Sequence, residues 1–195
     1  MPSPVPPANL ASLSLDTIAE LAEDTSLPPV GTWHPEREGR IDIRIAHDGT
    51  WYHEGDPINR PALVRLFSTI LRREPDGGHV LVTPAEKLAI IVEDAPFLAV
   101  EMKIDDDPAH GQRAIFRLNT GDIVIAGPEH PLTLRGDGED ALPYLHVRAD
   151  LWALLARPVY YALMDQAIAH DPIGIESDSA FFPLAPQDMK TGTTA

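Results

Sequence analysis

The chain contains no cysteine, which removes disulfides, a thiol nucleophile, thiolate-held zinc and iron–sulfur clusters in one step. Positive charge is scarce: 15 Lys and Arg stand against 30 Asp and Glu in 195 residues, a formal net charge of -15. A chain this acidic is poorly suited to a phosphate backbone, whose binding rests on cations that release counterions, so no nucleic acid partner is expected. The same charge opposes approach to anionic membranes. No apolar run nears the ~20 residues of a membrane span. The opening Met1-Pro2-Ser3-Pro4-Val5-Pro6-Pro7 also lacks the basic and apolar blocks of a signal peptide. These absences together lead to the expectation of a soluble, cytoplasmic protein with enough residues for one domain with a real core or for two small ones.

Proline is the residue in excess, with 20 copies, roughly double average usage. Pro28-Pro29, Pro35, Pro57, Pro61, Pro75, Pro84, Pro96 and Pro108 each border an apolar run, where a missing amide costs least, so they read as turns. Residues 1–35 read as an N-terminal arm. Its first dozen residues are proline-rich, Leu13–Glu23 place Leu15, Ile18, Leu21 and Ala22 at helical spacing with Ser14 as cap, and Pro28–Trp33 form an extended strap.

Residues 36–107 read as a first α+β unit. Ile41, Ile43 and Ile45 alternate with polar residues, and His47-Asp48-Gly49-Thr50 turns the chain into Trp51-Tyr52-His53-Glu54, which makes a hairpin. Asn59 is expected to cap a helix whose stripe Leu63, Leu66, Phe67, Ile70 and Leu71 faces the core, with Arg72 and Arg73 in its last turn. Strands follow at His79–Val82, Leu88–Val92 and Phe97–Ile104. The run Asp105-Asp106-Asp107-Pro108 reads as a link, because like charges repel and proline ends pairing. Residues 108–170 then form a second α+β unit, with strands at Ala114–Leu118, Ile123–Ala126, Leu132–Arg135 and Tyr144–Arg148. A helical stretch at Asp150–Ala156 and a closing helix from Arg157-Pro158 to about His170 complete it, with Leu151, Leu154 and Leu155 assigned to the core. Residues 171–195 read as a flexible tail.

The segments Arg44–Gly55 and Arg117–Gly127 share a pattern: an apolar strand, a polar glycine turn, a second strand ending in Gly. They lie on either side of the acidic run, so two similar units in tandem is the expected architecture.

Several ordered motifs also resemble a known family. They are Asp48–Ile58, Arg60, Leu66–Glu74, Leu81–Lys87, Val92–Phe97, Tyr144–Arg148 and Arg157–Tyr161, and together they look like the proteobacterial family catalogued as DUF1285, a domain of unknown function. The resemblance runs from Leu15 to His170. It implies a duplicated core whose C-terminal unit is a curved antiparallel sheet closed by a helix, superficially like a pleckstrin homology domain. It also implies a site at the interface of the two units, a nucleotide-type ligand, and a role in bacterial signal transduction linked to stress. It brings no reaction with it.

His47, Asp48, His53, Glu54 and Asp56 crowd one hairpin, and imidazole with carboxylate suits a metal. In an extended strand, however, His53 and Glu54 point to opposite faces, so solvated turn residues are the better reading. A small anion is the stronger candidate. Arg60, Lys87, Arg113, Arg135 and Arg148 are the cations inside structured motifs. Of these, Arg60, Lys87 and Arg148 are the expected ligand contacts, with Tyr52 and His53 beside them. Ordinary surface ion pairs are the competing reading for each cation. Trp51 is assigned to the core. Tyr52, Tyr144, Tyr160 and Tyr161 are stacking candidates. No nucleophile elbow, Walker A sequence or dinucleotide fingerprint occurs, and no cofactor is expected. The resulting expectation is a regulatory protein, not an enzyme, that binds a small anionic ligand between two units. A protein-interaction adaptor is the alternative, and a metal-dependent hydrolase using His53, Glu54 and Asp56 ranks third.

Overall fold

The computed structural model describes residues 27–136 and 138–185. The expected N-terminal arm up to residue 26, with its helix, lies outside the described residues, as do Asp137 and the last ten residues.

In the first unit, β1 (Arg37–Ile45), β2 (Trp51–His53) and β3 (Asp56–Pro57) lead through α1 (Pro61–Thr69) to β4 (Leu71–Arg73), β5 (His79–Val82) and β6 (Glu86–Val92). The second unit comprises β7 (Phe97–Asp107), β8 (Gly111–Leu118), β9 (Ile123–Ile125), β10 (Leu132–Arg135), β11 (Leu142–Arg148) and β12 (Leu151–Leu155). It is followed by α2 (Arg157–Ala167) and the hairpin β13 (Gly174–Ser177) and β14 (Ala180–Pro183). The strand orders are β3-β2-β1-β6-β5-β4 and β10-β11-β12-β7-β8-β9. Read from opposite edges these are one topology: two antiparallel meanders joined at the centre by a parallel pair, β1 with β6 and β7 with β12. The expected duplication is therefore present, but the second sheet is mixed where an all-antiparallel one was expected.

The short, folded-back connection between the two meanders of the second sheet forces it to curl. A flat six-stranded sheet would separate its edges by about 24 Å at ~4.8 Å per strand. The seven steps from Ile125 to Leu132 reach at most about 25 Å when fully extended, and this connection is folded back, Gly127 N donating to His130 O at 3.1 Å. The edges β9 and β10 must therefore approach each other.

The acidic run Asp105–Pro108 closes the β7–β8 hairpin, with Asp105 opposite Arg113 and Asp107 opposite Gly111. It is not a link, and the change of sheet falls between Val92 and Phe97. Arg113 neutralises part of the run by pairing with Asp107 at 3.1 Å and with Asp178 at 3.2 Å. The expected helix at 150–156 is β12 instead: an apolar run reads equally well as either element, and here the flanking β11 and β7 offer it backbone partners. Leu151, Leu154 and Leu155 are nonetheless buried. Arg72 and Arg73 lie in β4, α1 having ended at Thr69. The helix is preceded by Arg60 as N-cap, with Pro61 in its first turn and no side-chain cap. Leu66 faces outward, 57% exposed. The expected flexible tail is ordered as far as residue 185, and Ile175, Phe182 and Leu184 join the core.

The likeness of the two glycine turns has a local basis. Ala46 N donates to Thr50 O and Gly49 N to Ala46 O, both at 2.9 Å, and Leu118, Gly121 and Asp122 repeat the pattern at the same distances. Gly49 and Gly121 have φ of 79° and 93°, as a turn followed by a glycine bulge requires. By topology, however, β1–β2 corresponds to β7–β8 and not to the β8–β9 hairpin that the pattern suggested. One apolar core runs through both units, from Ile43, Ile45 and Trp51 to Phe97, Phe116, Leu145 and Leu163.

Candidate functional site

The faces of β11 and β12 opposite that core meet the first unit along a polar seam. Alternation places Tyr144 and His146 on one side of β11 and Leu145 and Val147 on the other, and the register sets His146 beside Trp152 and Tyr144 beside Leu154. Leu98, Ala95, Tyr144, Trp152 and Leu154 form a small second apolar cluster here. The first unit closes over it with its Ala46–Thr50 turn. Asn119 donates through Nδ2 to Gly49 O at 2.9 Å and accepts from Leu98 N at 3.0 Å. A Cβ at Gly49 would come within 2.8 Å of Asn119 Nδ2 and 3.0 Å of Leu98 Cβ, so this approach also requires glycine.

Four further contacts bridge or border the seam. Tyr144 Oη donates to Asp94 at 2.7 Å, and His47 Nδ1 lies 3.1 Å from the other oxygen of the same carboxylate. Arg73 pairs with Asp150 at 3.0 Å, and Arg148 donates to Ser68 O at 2.7 Å. Burial, reinforced by the bond to Asp94, pushes the Tyr144 hydroxyl up to about 12. Burial also holds the His79 imidazole below its ordinary value, and the Arg73 charge adds to this.

Arg135 is the unusual cation of the seam. Its guanidinium lies 4.0 Å from the Trp152 ring centroid and 4.8 Å from that of Tyr144. Among the described residues no carboxylate is bonded to it. Burial is the main influence lowering its pKa, and the charges of Arg73, Asp150 and Asp94 are close enough to act on it as well. Two arginines and two aromatic rings are thus gathered where the units meet, a combination suited to an anion with an apolar or planar body.

A groove of about 460 Å³ opens in the first unit, lined in part by Gly31, His34, Glu38, Arg72, Glu74 and Lys87, and Arg73 belongs to its wall too. Arg72, Glu38, Glu74 and Lys87 satisfy one another within it. Arg72 donates to Glu74 at 2.6 Å and to the carbonyls of Val30 and Trp33 at 2.8 Å each, which lie at a 3-10 turn, Val30–Thr32, where an extended strap was expected. Lys87 is held by Glu38 at 2.8 Å and Glu74 at 3.3 Å, and the Glu38 bond is the main reason its pKa is raised. Burial works to raise the Glu74 pKa, but the bonds from Arg72 and Lys87 outweigh it and leave it lowered.

The expected ligand set is dispersed. Arg60 is exposed at the start of α1, while Arg148 is tied to Ser68 near its end, about 12 Å away at 1.5 Å per residue. Arg148 lies over Phe97 at 5.0 Å, with its pKa lowered by burial, and serves as a structural bolt. Tyr52 lies beneath the Arg44 guanidinium at 4.2 Å on the outer face of the first sheet. His53 is exposed beside the turn that joins β2 to β3. Among the described residues no group of three His, Asp or Glu is placed to hold a metal. Asp48 folds back to accept from Thr50 N at 2.9 Å, and His47 turns to Asp94.

Arg73, Asp94, Asn119, His146, Asp150 and Trp152 are among the seam residues that sequence reasoning missed. The signal was the i, i+2 alternation of Tyr144 and His146, continued by Trp152, which was obscured once residues 150–156 were read as helix.

Two family models divide the chain: the N-terminal domain of DUF1285, a domain of unknown function, matches residues 28–95, and the DUF1285 C-terminal domain matches residues 96–184. The crystal structure of a DUF1285 family protein from Silicibacter pomeroyi is similar at 42% sequence identity and a TM-score of 0.74, covering 89% of this chain and 96% of that one. A DUF1285 family protein from Shewanella baltica is similar at 26% identity and a TM-score of 0.50, over 63% of this chain and 90% of that one. No curated protein matches the chain.

Proposed function

The chain belongs to the DUF1285 family, and from that premise we propose that it is a regulatory protein that binds a small anionic ligand of nucleotide type at the seam between its two units. The pairing of Arg135 with Trp152 and Tyr144, close to the charge of Arg73, supports this reading most directly. In a chain of net charge -15, a stacked arginine with no bonded carboxylate among the described residues is a cation kept available for an anion. Arg135 and Arg73 take the part that sequence reasoning gave to Arg60, Lys87 and Arg148, and Trp152 offers the planar surface. A cytoplasmic role in bacterial signalling fits such a receptor. We further propose that α2, which follows the last strand of the second sheet, closes that unit in the manner of a pleckstrin homology domain.

Thermal-shift measurements with nucleoside mono-, di- and triphosphates test the proposal. A ligand at a hundred times its Kd adds about 2.7 kcal/mol to stability. That gain should vanish in Arg135→Ala and persist in Arg60→Ala. Absence of any shift at millimolar nucleotide, or an undiminished shift in Arg135→Ala, refutes it.

The adaptor reading retains one specific support. Tyr161 and Ile168, seven residues apart along and just beyond α2, are 62% and 63% exposed, a spacing that sets both on one helical face. A stoichiometric partner captured by the parent and by Arg135→Ala, but lost in Tyr161→Ser with Ile168→Ser, would favour it.

A further inference from the structure

His146 is placed as no other histidine among the described residues. Its Nδ1 lies 2.9 Å from Glu129 O and its Nε2 lies 2.6 Å from Ala149 O. A carbonyl oxygen only accepts, and a neutral imidazole has only one N–H. Both contacts are hydrogen bonds only when the ring carries both protons; with one proton removed, a bare nitrogen lone pair faces an oxygen lone pair.

The two carbonyls belong to different segments. Glu129 sits in the turn between β9 and β10, and Ala149 in the turn between β11 and β12. Ala149 has φ of 45°, a left-handed conformation that a residue with a Cβ adopts at a cost and keeps only where its surroundings hold it. The bond from His146 Nε2 is one such hold. The residues flanking Ala149 are two of those that grip the first unit: Arg148 through Ser68 O, and Asp150 through Arg73. Edge-on contact at 4.9 Å also links the His146 ring to Trp152, the platform under Arg135.

We infer that His146 is a proton-dependent positioning residue: its doubly protonated ring clips the turns at Glu129 and Ala149 together and so sets the grip of the second unit on the first at Ser68 and Arg73. The charged or titratable groups on the elements around the ring are His130, stacked at 6.0 Å and bonded through Nδ1 to His146 O at 3.3 Å, then Glu129, Arg148 and Asp150 on the two turns, and Arg135 beyond Trp152. Histidine changes charge between roughly pH 5 and 8. The clip is complete when both ring nitrogens carry protons and has a single donor once one of them is lost. It concerns the free protein and holds whether or not the seam takes a ligand.

Nitrogen NMR of the histidine rings in the full chain, with His146 assigned by His146→Gln, reads the clip directly, and amide exchange at residues 148–152 reads its consequence. Both ring nitrogens are expected to carry protons at the acid end. As one is lost on raising the pH, amide protection in that turn should fall roughly fivefold beyond the intrinsic pH effect, the worth of one hydrogen bond. In His146→Gln, which has no titrating ring, that extra pH dependence should be absent. In Ala149→Gly, whose backbone adopts the turn without strain, it should be at least halved. An unprotonated His146 nitrogen across the whole range with the turn still protected, or extra pH dependence undiminished in both variants, overturns the inference.

Discussion

Arg148 separates a ligand contact from a structural bolt, because its two roles predict opposite results for Arg148→Ala. Its guanidinium donates to Ser68 O at 2.7 Å and lies over Phe97, a ring 1% exposed at the heart of the shared core. A hydrogen bond from a charged donor contributes about 1.5–3 kcal/mol, and a partly desolvated cation over an aromatic ring about 0.5–2 kcal/mol. The desolvation cost already carried by the buried guanidinium, visible in its lowered pKa, offsets part of that sum. A net loss of about 2–3 kcal/mol should lower the melting temperature by roughly 4–12 °C in a chain of this size. Arg148→Met keeps the aliphatic stem against Phe97 but not the donor, so it should recover less than half of the loss. Circular dichroism melts of the full chain, with and without nucleotide, provide the assay. If Arg148→Ala melts within about 1 °C of the parent while losing its response to ligand, Arg148 is a ligand contact and the structural assignment fails.

Ser177 is fully buried, donating to Ala126 O at 2.6 Å and accepting from Ala114 N at 2.8 Å, so its hydroxyl inserts at the end of the β8–β9 ladder. Ser177→Ala should cost about 2 kcal/mol in chemical denaturation, two net hydrogen bonds at ~1 kcal/mol each; a loss under about 0.5 kcal/mol would mean that the ladder closes up without it. Deleting residues 171–195 removes Ile175, Phe182 and Leu184 from the core and should cost about 5–8 kcal/mol; a truncated chain as stable as the parent would return the segment to the status of a tail. His79 is held below its ordinary pKa by burial and by Arg73. The unfolded chain therefore takes up a proton first as the pH falls below about 6.5, and stability should decline there in the parent and decline less in His79→Phe; equal slopes would refute the assignment.

Most strands were legible because their period or their bounding turns were strong. The alternation of Ile41, Ile43 and Ile45, the run Leu88–Val92 and the glycine turns all became the elements they suggested. Failures came where the decisive information was not local. Leu151–Leu155 has the length and apolarity of either a short strand or a helix turn, and only β7 and β11 beside it decide the matter. The triplet Asp105–Asp107 looked like a linker because its charges repel, yet Arg113 across the hairpin meets Asp107 and Lys103 meets Asp105. The tail appeared loose by composition, although Ile175, Phe182 and Leu184 find the apolar surface beneath them. At the site, cations were recognisable as a class. Which of them are spent on structure was not, since Glu38, Glu74 and Ser68 O reach Lys87 and Arg148 only through the tertiary fold.

The energetics of the seam suit a regulatory reading. Because the two sheets share one core, parting the units outright would expose apolar surface worth far more than a small ligand can supply. The seam itself is held by a handful of polar contacts, from Asn119, Tyr144, Arg148 and the Arg73–Asp150 pair, each worth on the order of 1 kcal/mol, and somewhat more for Arg148. A ligand of 10 µM affinity brings about 7 kcal/mol, and only the part that differs between two seam arrangements shifts their populations. Redirecting Arg73 from Asp150 to an anion would need a small fraction of that. It would release Asp150, and with it the turn that carries Ala149, while the core stays intact. On the proposed function, a small anion reached by both Arg73 and Arg135 would change the relation of the two units without unfolding either.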